Sequence, residues 1–297
     1  MLTLVADRTA GPLTEGLVAR VRAAIGADMP TVLSDREAVD LPCAQPPDAT
    51  IVAAALEDAP VDAIATPAAD RRKRLLIADM DSTIVTTETL DELAAEAGVQ
   101  DAIVAITRSS MNGEIDFAEA LRARVAMLKG LPLAALARTW AATRMTEGAG
   151  ELVATMRAHG AVTALVSGGF TYFTGRVTAL LGFDLHRANT LIDDGAVLTG
   201  AVGTPILDRH AKREELLRLA RAHNLKMSQT LAVGDGANDL DMLQTAGLGV
   251  AFHAKPIVAQ ATRAQVRHGN LRALLFAQGY RADEFVTPSA PDQTRLQ

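Results

Sequence analysis

Cysteine is almost absent. Cys43 is the only one in 297 residues, so no disulfide can form within the chain, and a reducing cytoplasm is the default expectation. Aromatic residues make up only 3%. Ala, Leu and Val must therefore fill the core, which fits many helices packed closely through small side chains. No apolar run approaches the roughly 18–20 residues of a membrane span, so no membrane partner is expected. The start, MLTLVADRTA, carries Asp7 early and does not read as a signal peptide. No long basic run occurs either. Against 29 Lys and Arg stand 35 Asp and Glu, a net charge of −6. Bulk attraction to nucleic acid or anionic membrane is thereby excluded as a function class, although a local basic pocket stays open.

What is there is ordinary globular material. Apolar residues make up 49% and charged residues 22%, enough for one large domain or two smaller ones. Residues 1–70 read as a small α/β unit. Short apolar runs lie at 1–6 and 50–56, with a helical stretch near Leu17–Ile25 between them and Pro46, Pro47, Pro60 and Pro67 as punctuation. ATPAADRRKR at 65–74 reads as a polar linker. From residue 71 to 286 the pattern changes. Arg74–Ala78 leads into a buried-type strand, a helix-rich stretch runs from about Glu88 to 143, and helix Glu147–Ala158 precedes the strand AVTALVS. Helices follow near 172–181 and 212–222, with a small β element at 195–203 between them. The strands QTLAVGD and GLGVAF flank a helix at 238–246, and a last helical pattern lies near 270–278. Residues 287–297 read as a disordered tail. Strands alternating with helices imply an α/β fold with a doubly wound parallel sheet. In such sheets ligands bind beyond the carboxyl ends of the strands. The clusters DMDST, SGG and GDGAND each follow an apolar strand, so all three should gather at one edge.

Their chemistry is complementary. In Asp79-Met80-Asp81 the carboxylates sit two residues apart, so along an extended strand they point the same way. One can act as nucleophile on phosphorus and the other as proton donor and acceptor, which splits one slow hydrolysis into two easier steps. Asp235 and Asp239 offer further hard oxygen atoms of the kind magnesium prefers. Lys212 can add positive charge at a phosphate. The Ser167 hydroxyl and the Gly168 amide can donate hydrogen bonds to phosphate oxygens. Each element alone has a plainer reading as an exposed turn, a loop, a helix cap or a surface charge. Their value lies in the combination, each acidic or glycine cluster ending a predicted strand.

These residues resemble the haloacid dehalogenase superfamily of phosphohydrolases. DMDST matches its first motif, Ser167 its second, Lys212 its third and GDGAND its fourth. The resemblance implies that Asp79 is the nucleophile and Asp81 the general acid/base. It implies that Mg2+ is held by Asp79, the Asp81 backbone carbonyl and Asp235, with Asp239 supporting the metal site. DSTIVTTETLDELA, VSGGF and AVGDGANDLDML narrow the likeness to the phosphoserine phosphatase family, over about residues 74–280. A helical cap, here about 88–146, then follows the first motif. Glu88 matches the residue that meets the substrate ammonium, and Arg124 the one that meets the carboxylate. Met111 and Phe117 match apolar residues near the substrate, and Asn238 an asparagine that positions phosphate and metal-site groups. The implied reaction is magnesium-dependent hydrolysis of O-phosphoserine in serine biosynthesis, with a small-molecule substrate as partner.

Residues 1–70 could be a divergent ACT-like regulatory unit, or could serve dimerisation or packing, so a homodimer is open. Three alternatives stand beside hydrolysis. The aspartyl phosphate could pass its phosphoryl group to an alcohol such as homoserine, or the substrate could be another small phosphomonoester. A phospho-receiver module also uses acidic residues, Lys and magnesium on such a sheet. It has no reason to carry Asp81 two residues past the acceptor, or a helical insertion directly after it.

Overall fold

The alternation folds into two sheets and one hairpin in a computed structural model, which describes residues 1–111 and 115–287. The first sheet is built from β1 (Leu2–Ala6), β2 (Thr31–Ser34), β3 (Ala38–Leu41) and β4 (Val61–Ala65), antiparallel in the order β2-β3-β1-β4. Helix Glu15–Ile25 joins β1 to β2. The Thr14 hydroxyl accepts from the Leu17 amide at its start, and Gly26 ends it at φ 60°, where a side chain would be strained. The apolar run at 50–56 is helical. Asp48 caps helix Ala49–Leu56 by accepting from the Thr50 and Ile51 amides.

The doubly wound parallel sheet expected from the sequence is present. It comprises β5 (Leu75–Ala78), β6 (Val162–Phe170), β7 (Leu185–Asn189), β10 (Thr230–Gly234), β11 (Leu248–Phe252) and β12 (Ala264–Val266), after counting the separate hairpin of β8 (Leu191–Asp193) and β9 (Leu198–Val202). Its order is β12-β11-β10-β5-β6-β7, parallel throughout. β5 is buried on both faces, which is why LLIA reads as an unbroken apolar run. Leu76 and Ala78 join one apolar cluster, Leu75 and Ile77 the other, as alternation along a strand requires. From β5 the chain reaches β6 on one side and, later, β10 on the other. The carboxyl end of β5 is therefore the point where strand order reverses, the place such sheets offer to ligands.

Between β5 and helix Ala149–Ala158 lie helices Thr89–Ala97, Gln100–Met111, Phe117–Ala126 and Ala134–Ala142. The β8–β9 hairpin is tied to this helical segment, since the Gly130 and Leu133 amides donate to the Leu198 and Ala196 carbonyls. Residues 288–297, nearly all of the stretch read as a disordered tail, lie outside the described residues. No helix among the described residues is long and apolar enough to cross a membrane.

The two sheets are joined by buried charge. Arg71 donates to both Asp40 carboxylate oxygens at 2.6 Å and to the Ala277 carbonyl at 3.0 Å. Part of the run read as a solvated linker is thus an anchor. Asp62, on β4, is 3% exposed and accepts from the Arg267 and Gly269 amides at 2.7 and 2.8 Å. Asp62→Ala would leave these donors without their acceptor. A loss of about 1–3 kcal/mol in unfolding free energy is expected, read as a lower midpoint in urea. An unchanged midpoint would show that water replaces the carboxylate without cost.

Candidate active site

Three strand ends build the site. Asp79 follows β5, Asp235 follows β10, and Ser167–Gly169 close β6, the two neighbours of β5. After Asp79 the chain makes a wide turn at Met80–Ile84. Ser82 sits there at φ 51°, a region few side chains tolerate, and its hydroxyl donates to Glu88 Oε1 at 2.6 Å. The strained turn thus connects the first acidic pair to the first residue of the helical segment.

Asp79 is 5% exposed. Its Oδ2 lies 2.7 Å from Lys212 Nζ, and its Oδ1 accepts from the Met80 amide at 2.7 Å. Lys212, 1% exposed on helix Arg209–Ala222, also reaches Asp239 Oδ1 at 2.7 Å. Burial pulls the ammonium pKa down, but Asp239 and Asp79 outweigh it and hold Lys212 above its usual value. The other oxygen of Asp239 accepts from the Gly236 amide at 3.0 Å. Gly234 has to be glycine, because a Cβ there would overlap the Asp239 carboxylate. Asn238 is half-buried in the same turn, its side chain against Gly236.

Carboxylate oxygens of Asp79, Asp235 and Asp239 all lie within 4.8 Å of one another. Three buried acids this close repel each other and call for a cation. Both Asp239 oxygens are already engaged by Lys212 and Gly236. Asp235 accepts only the Thr83 hydroxyl, 3.3 Å from Oδ1, among the described residues, so its second oxygen is open. Both Asp79 oxygens are engaged as well, by Lys212 and the Met80 amide, so the cluster of three acids fits a hard divalent ion, with Asp235 offering its open oxygen.

Burial first, then the charge of Asp79, pushes the Asp235 carboxyl up to about 7. Burial, then Glu88, pushes Asp81 up to about 8. Raised acid pKa values mean that the metal-free fold binds protons more tightly than the unfolded chain. The contribution of these two groups to its stability is therefore lost as pH rises from about 4 toward 8. A metal needs the ionised Asp235 carboxylate and displaces its proton. The rise in melting temperature on adding magnesium should accordingly be larger at pH 8 than at pH 6, as a thermal melt with and without chelator can show. An equal rise at both pH values would mean that Asp235 is already ionised.

Asp81 accepts from the Thr89 amide at 3.0 Å on Oδ1, and its Oδ2 lies 3.5 Å from the Ser167 hydroxyl. Ser167 Oγ in turn accepts from the Gly169 amide at 2.9 Å. A Cβ on Gly169 would come within 2.6 Å of Asp81 Oδ2, so close approach requires glycine here. Gly168 is covered by Phe117, whose Cζ would lie 3.3 Å from a Cβ at that position. Phe117 opens helix Phe117–Ala126 behind its cap Asp116, which brings the helical segment down onto the β6 loop.

Glu88 is open to solvent yet flanked by protein. Burial raises its pKa, against the Ser82 hydrogen bond and the Lys255 charge. Arg124 is half-buried, donating to the Ala120 carbonyl at 3.3 Å and reaching the Thr107 hydroxyl at 3.5 Å. Burial lowers its pKa, opposed by Asp91 and Glu88. Glu88 and Arg124 therefore share one electrostatic neighbourhood, and Glu88 also acts on Asp81 and Asp235. Met111 ends helix Gln100–Met111, and its side chain lies outside the described residues.

Several contributors escape sequence reasoning. Asn189, 1% exposed at the end of β7, donates to the Gly168 carbonyl at 2.8 Å and accepts from the Leu207 amide at 2.8 Å, which orients the Ser167–Gly169 loop. Thr83 holds Asp235, Thr89 holds Asp81 through its backbone, and Asp91 lies close enough to act on Arg124. No local pattern distinguishes them from ordinary helix-start or strand residues.

Residues 76–244 match the haloacid dehalogenase-like hydrolase family, more than half of the chain, and the chain belongs to that family. It is similar to particular phosphatases within it. Over 215 residues it is 44% identical to the phosphoserine phosphatase of Streptomyces coelicolor, covering 72% of this chain and 52% of the relative. The chain thus spans about half the length of that relative. A solved structure described as a substrate-bound phosphoserine phosphatase complex is 39% identical, with a TM-score of 0.65 over 69% of this chain and 98% of that one. A HAD family hydrolase from Salmonella enterica serovar Typhi superposes more fully, with a TM-score of 0.82 at 28% identity, over 93% of this chain and 97% of that one.

Proposed function

We propose that the chain is a magnesium-dependent phosphoserine phosphatase. It hydrolyses O-phosphoserine to serine and inorganic phosphate through an aspartyl phosphate on Asp79. The carrying observation is the pair Asp79 and Asp81 at the sheet's switch point. Lys212 is on one oxygen of Asp79, and Glu88 acts by its charge on both Asp81 and Arg124. The similarity to a substrate-bound phosphoserine phosphatase supports the same reading.

The chemistry follows from the residues. An Asp79 oxygen attacks phosphorus and the bond from phosphorus to the serine oxygen breaks. Asp81, its pKa lifted to about 8 by burial and by Glu88, carries a proton near neutral pH and gives it to the leaving alkoxide. The resulting Asp81 carboxylate takes a proton from water, whose oxygen attacks the phosphorus carried on Asp79. The bond from phosphorus to Asp79 breaks, phosphate leaves, and Asp81 is again protonated. Lys212, Ser167 and the Gly168 amide offset the charge on the phosphoryl oxygens. Asp79, Asp235 and the Asp81 carbonyl would hold magnesium, which would supply further positive charge to offset the repulsion between a phosphate dianion and a carboxylate. Glu88 pairs with the substrate ammonium, and Arg124 binds its carboxylate in a forked contact. Met111, Phe117 and Asn238 complete the pocket.

The test is phosphate release from phosphoserine, phosphothreonine and phosphohomoserine, with magnesium and with chelator. Preference for phosphoserine, abolished by chelator, is the expected result. Release only when an alcohol such as homoserine is added would replace hydrolysis by transfer. Stable phosphorylation of Asp79 without turnover would favour a receiver module. Residues 1–70 are proposed to act as a regulatory or dimerising unit, which titration with serine and measurement of solution mass would check.

A further inference from the structure

Lys255 plays no part in the chemistry above, yet the fold brings it to the same cleft. β11 runs parallel to β10 with Ala251 opposite Gly234, so the chain leaving β11 passes beside Asp235. The Lys255 amide donates to the Asp235 carbonyl at 3.2 Å. Pro256 then opens helix Pro256–Ala261 and turns the chain away. The connection is propped from behind. His253, at φ 42°, stacks on Phe252 with ring centroids 4.2 Å apart, and its Nε2 lies 2.8 Å from the Gly269 carbonyl oxygen. Gly269 is itself held by Asp62 of the first sheet.

The side chain of Lys255 is exposed. Its charge is felt by two carboxylates on different elements, Asp235 after β10 and Glu88 at the entrance to the helical segment. Asp235 belongs to the metal side of the cleft and Glu88 to the substrate side, and the backbone bond to the Asp235 carbonyl fixes where the Lys255 side chain starts. Among the described residues two further cations act there, and neither is exposed. Lys212 is buried between Asp79 and Asp239, and Arg124 is half-buried. Around them are Asp79, Asp81, Asp235, Asp239, Glu88 and Asp91. Even with a divalent ion at Asp79 and Asp235, a dianionic ester entering from water would feel the carboxylates of Glu88 and Asp91, which an exposed cation offsets.

We infer that Lys255 is a substrate-attracting residue, an exposed ammonium at the mouth of the cleft that strengthens capture of the anionic phosphomonoester without touching the reacting atoms. The inference rests on the phosphatase reading for its substrate, and phosphate itself serves as an independent probe.

Lys255→Ala should raise KM for phosphoserine about three- to tenfold, as expected for one partly screened charge, with kcat within about twofold. The salt dependence of kcat/KM should become shallower. Lys255→Arg should restore most of the loss, and Lys255→Glu should exceed it. In parallel, calorimetric titration of the magnesium-loaded protein with inorganic phosphate should give correspondingly weaker binding for Lys255→Ala. If wild type fails to turn over phosphoserine while phosphate binding is still weakened by Lys255→Ala, the substrate reading falls and this inference stands. Unchanged phosphate affinity, or an unchanged KM and salt slope in both the Ala and Glu variants, would overturn it.

Discussion

Asp79→Asn is expected to lower phosphoserine turnover by at least about 10⁴-fold and to leave the fold intact. The amide keeps the shape of the carboxylate but cannot form the acyl phosphate. Lys212 loses one partner and keeps the other, because its contact to Asp239 at 2.7 Å does not involve Asp79. The charge on Asp79 is among the causes that raise the pKa values of Asp81, Asp235 and Asp239. Removing it relieves that repulsion, so the metal-free variant should melt no lower than wild type. Its response to magnesium should shrink, since Asp79 offers one of the oxygens facing the open side of Asp235. Single-turnover phosphate release, a melt with and without magnesium, and the mass of acid-quenched protein together give the answer. Wild type should carry a phosphate adduct on the peptide containing Asp79, and the variant should not. Turnover within tenfold of wild type would remove Asp79 from the nucleophile role and end the mechanism argued above.

The same residues show where sequence reading reached and where it stopped. β5, β6, β10 and β11 are legible because buried parallel strands must be apolar on both faces, leaving short runs such as LLIA and TLAVG bounded by polar clusters. The clusters are legible because chemistry places acids and glycines where a strand ends. β7 is not legible. Its sequence, LHRAN, lies at the sheet edge with mixed exposure, and nothing apolar marks it. β12 has three residues, and β2 and β3 have four each, too short to show a period. The reading of 50–56 stayed a bare apolar run because a short helix and a short strand share that composition.

Within the site the division is similar. Asp79, Asp81 and Asp235 stand out by type and spacing, whereas Lys212 alone reads as a surface charge and is singled out only beside them. Asn189 acts through the Gly168 carbonyl and Thr89 through its own amide, and Lys255 is brought to the site by a backbone bond to the Asp235 carbonyl. Such roles arise from proximity across the fold, which a single sequence does not encode locally. Arg71 errs the other way. In sequence it belongs to a charged linker, whereas in the fold its guanidinium is 14% exposed and paired with Asp40.

Lys212→Met should carry the second large effect, on stability and activity together. The substitution keeps length and apolar bulk while removing the ammonium. At 1% exposure that ammonium is the direct counter-ion of Asp79 and Asp239. Removing one partner of a buried ionic cluster typically costs about 3–5 kcal/mol, because the remaining charges stay buried and unpaired. Activity should fall at least about 10²–10³-fold, as on losing a preorganised charge beside the reacting phosphoryl group. The pH dependence separates this explanation from simple misfolding. Lys212 is held above its ordinary pKa, so in wild type its contribution is fully present at every pH below about 10.5 and is lost only as pH rises through the still higher folded value. In Lys212→Met the carboxylates face one another uncompensated. They tolerate burial when protonated and resist it when ionised. The variant should therefore lose melting temperature between pH 5 and pH 8, measured in chelator, more steeply than wild type. Adding Asp239→Asn to Lys212→Met should recover part of the lost stability without recovering activity, as a double-mutant cycle would reveal. A Lys212→Met protein with wild-type stability at both pH values, or with activity within tenfold, would show that the buried ammonium is neither the structural nor the chemical counter-ion of Asp79.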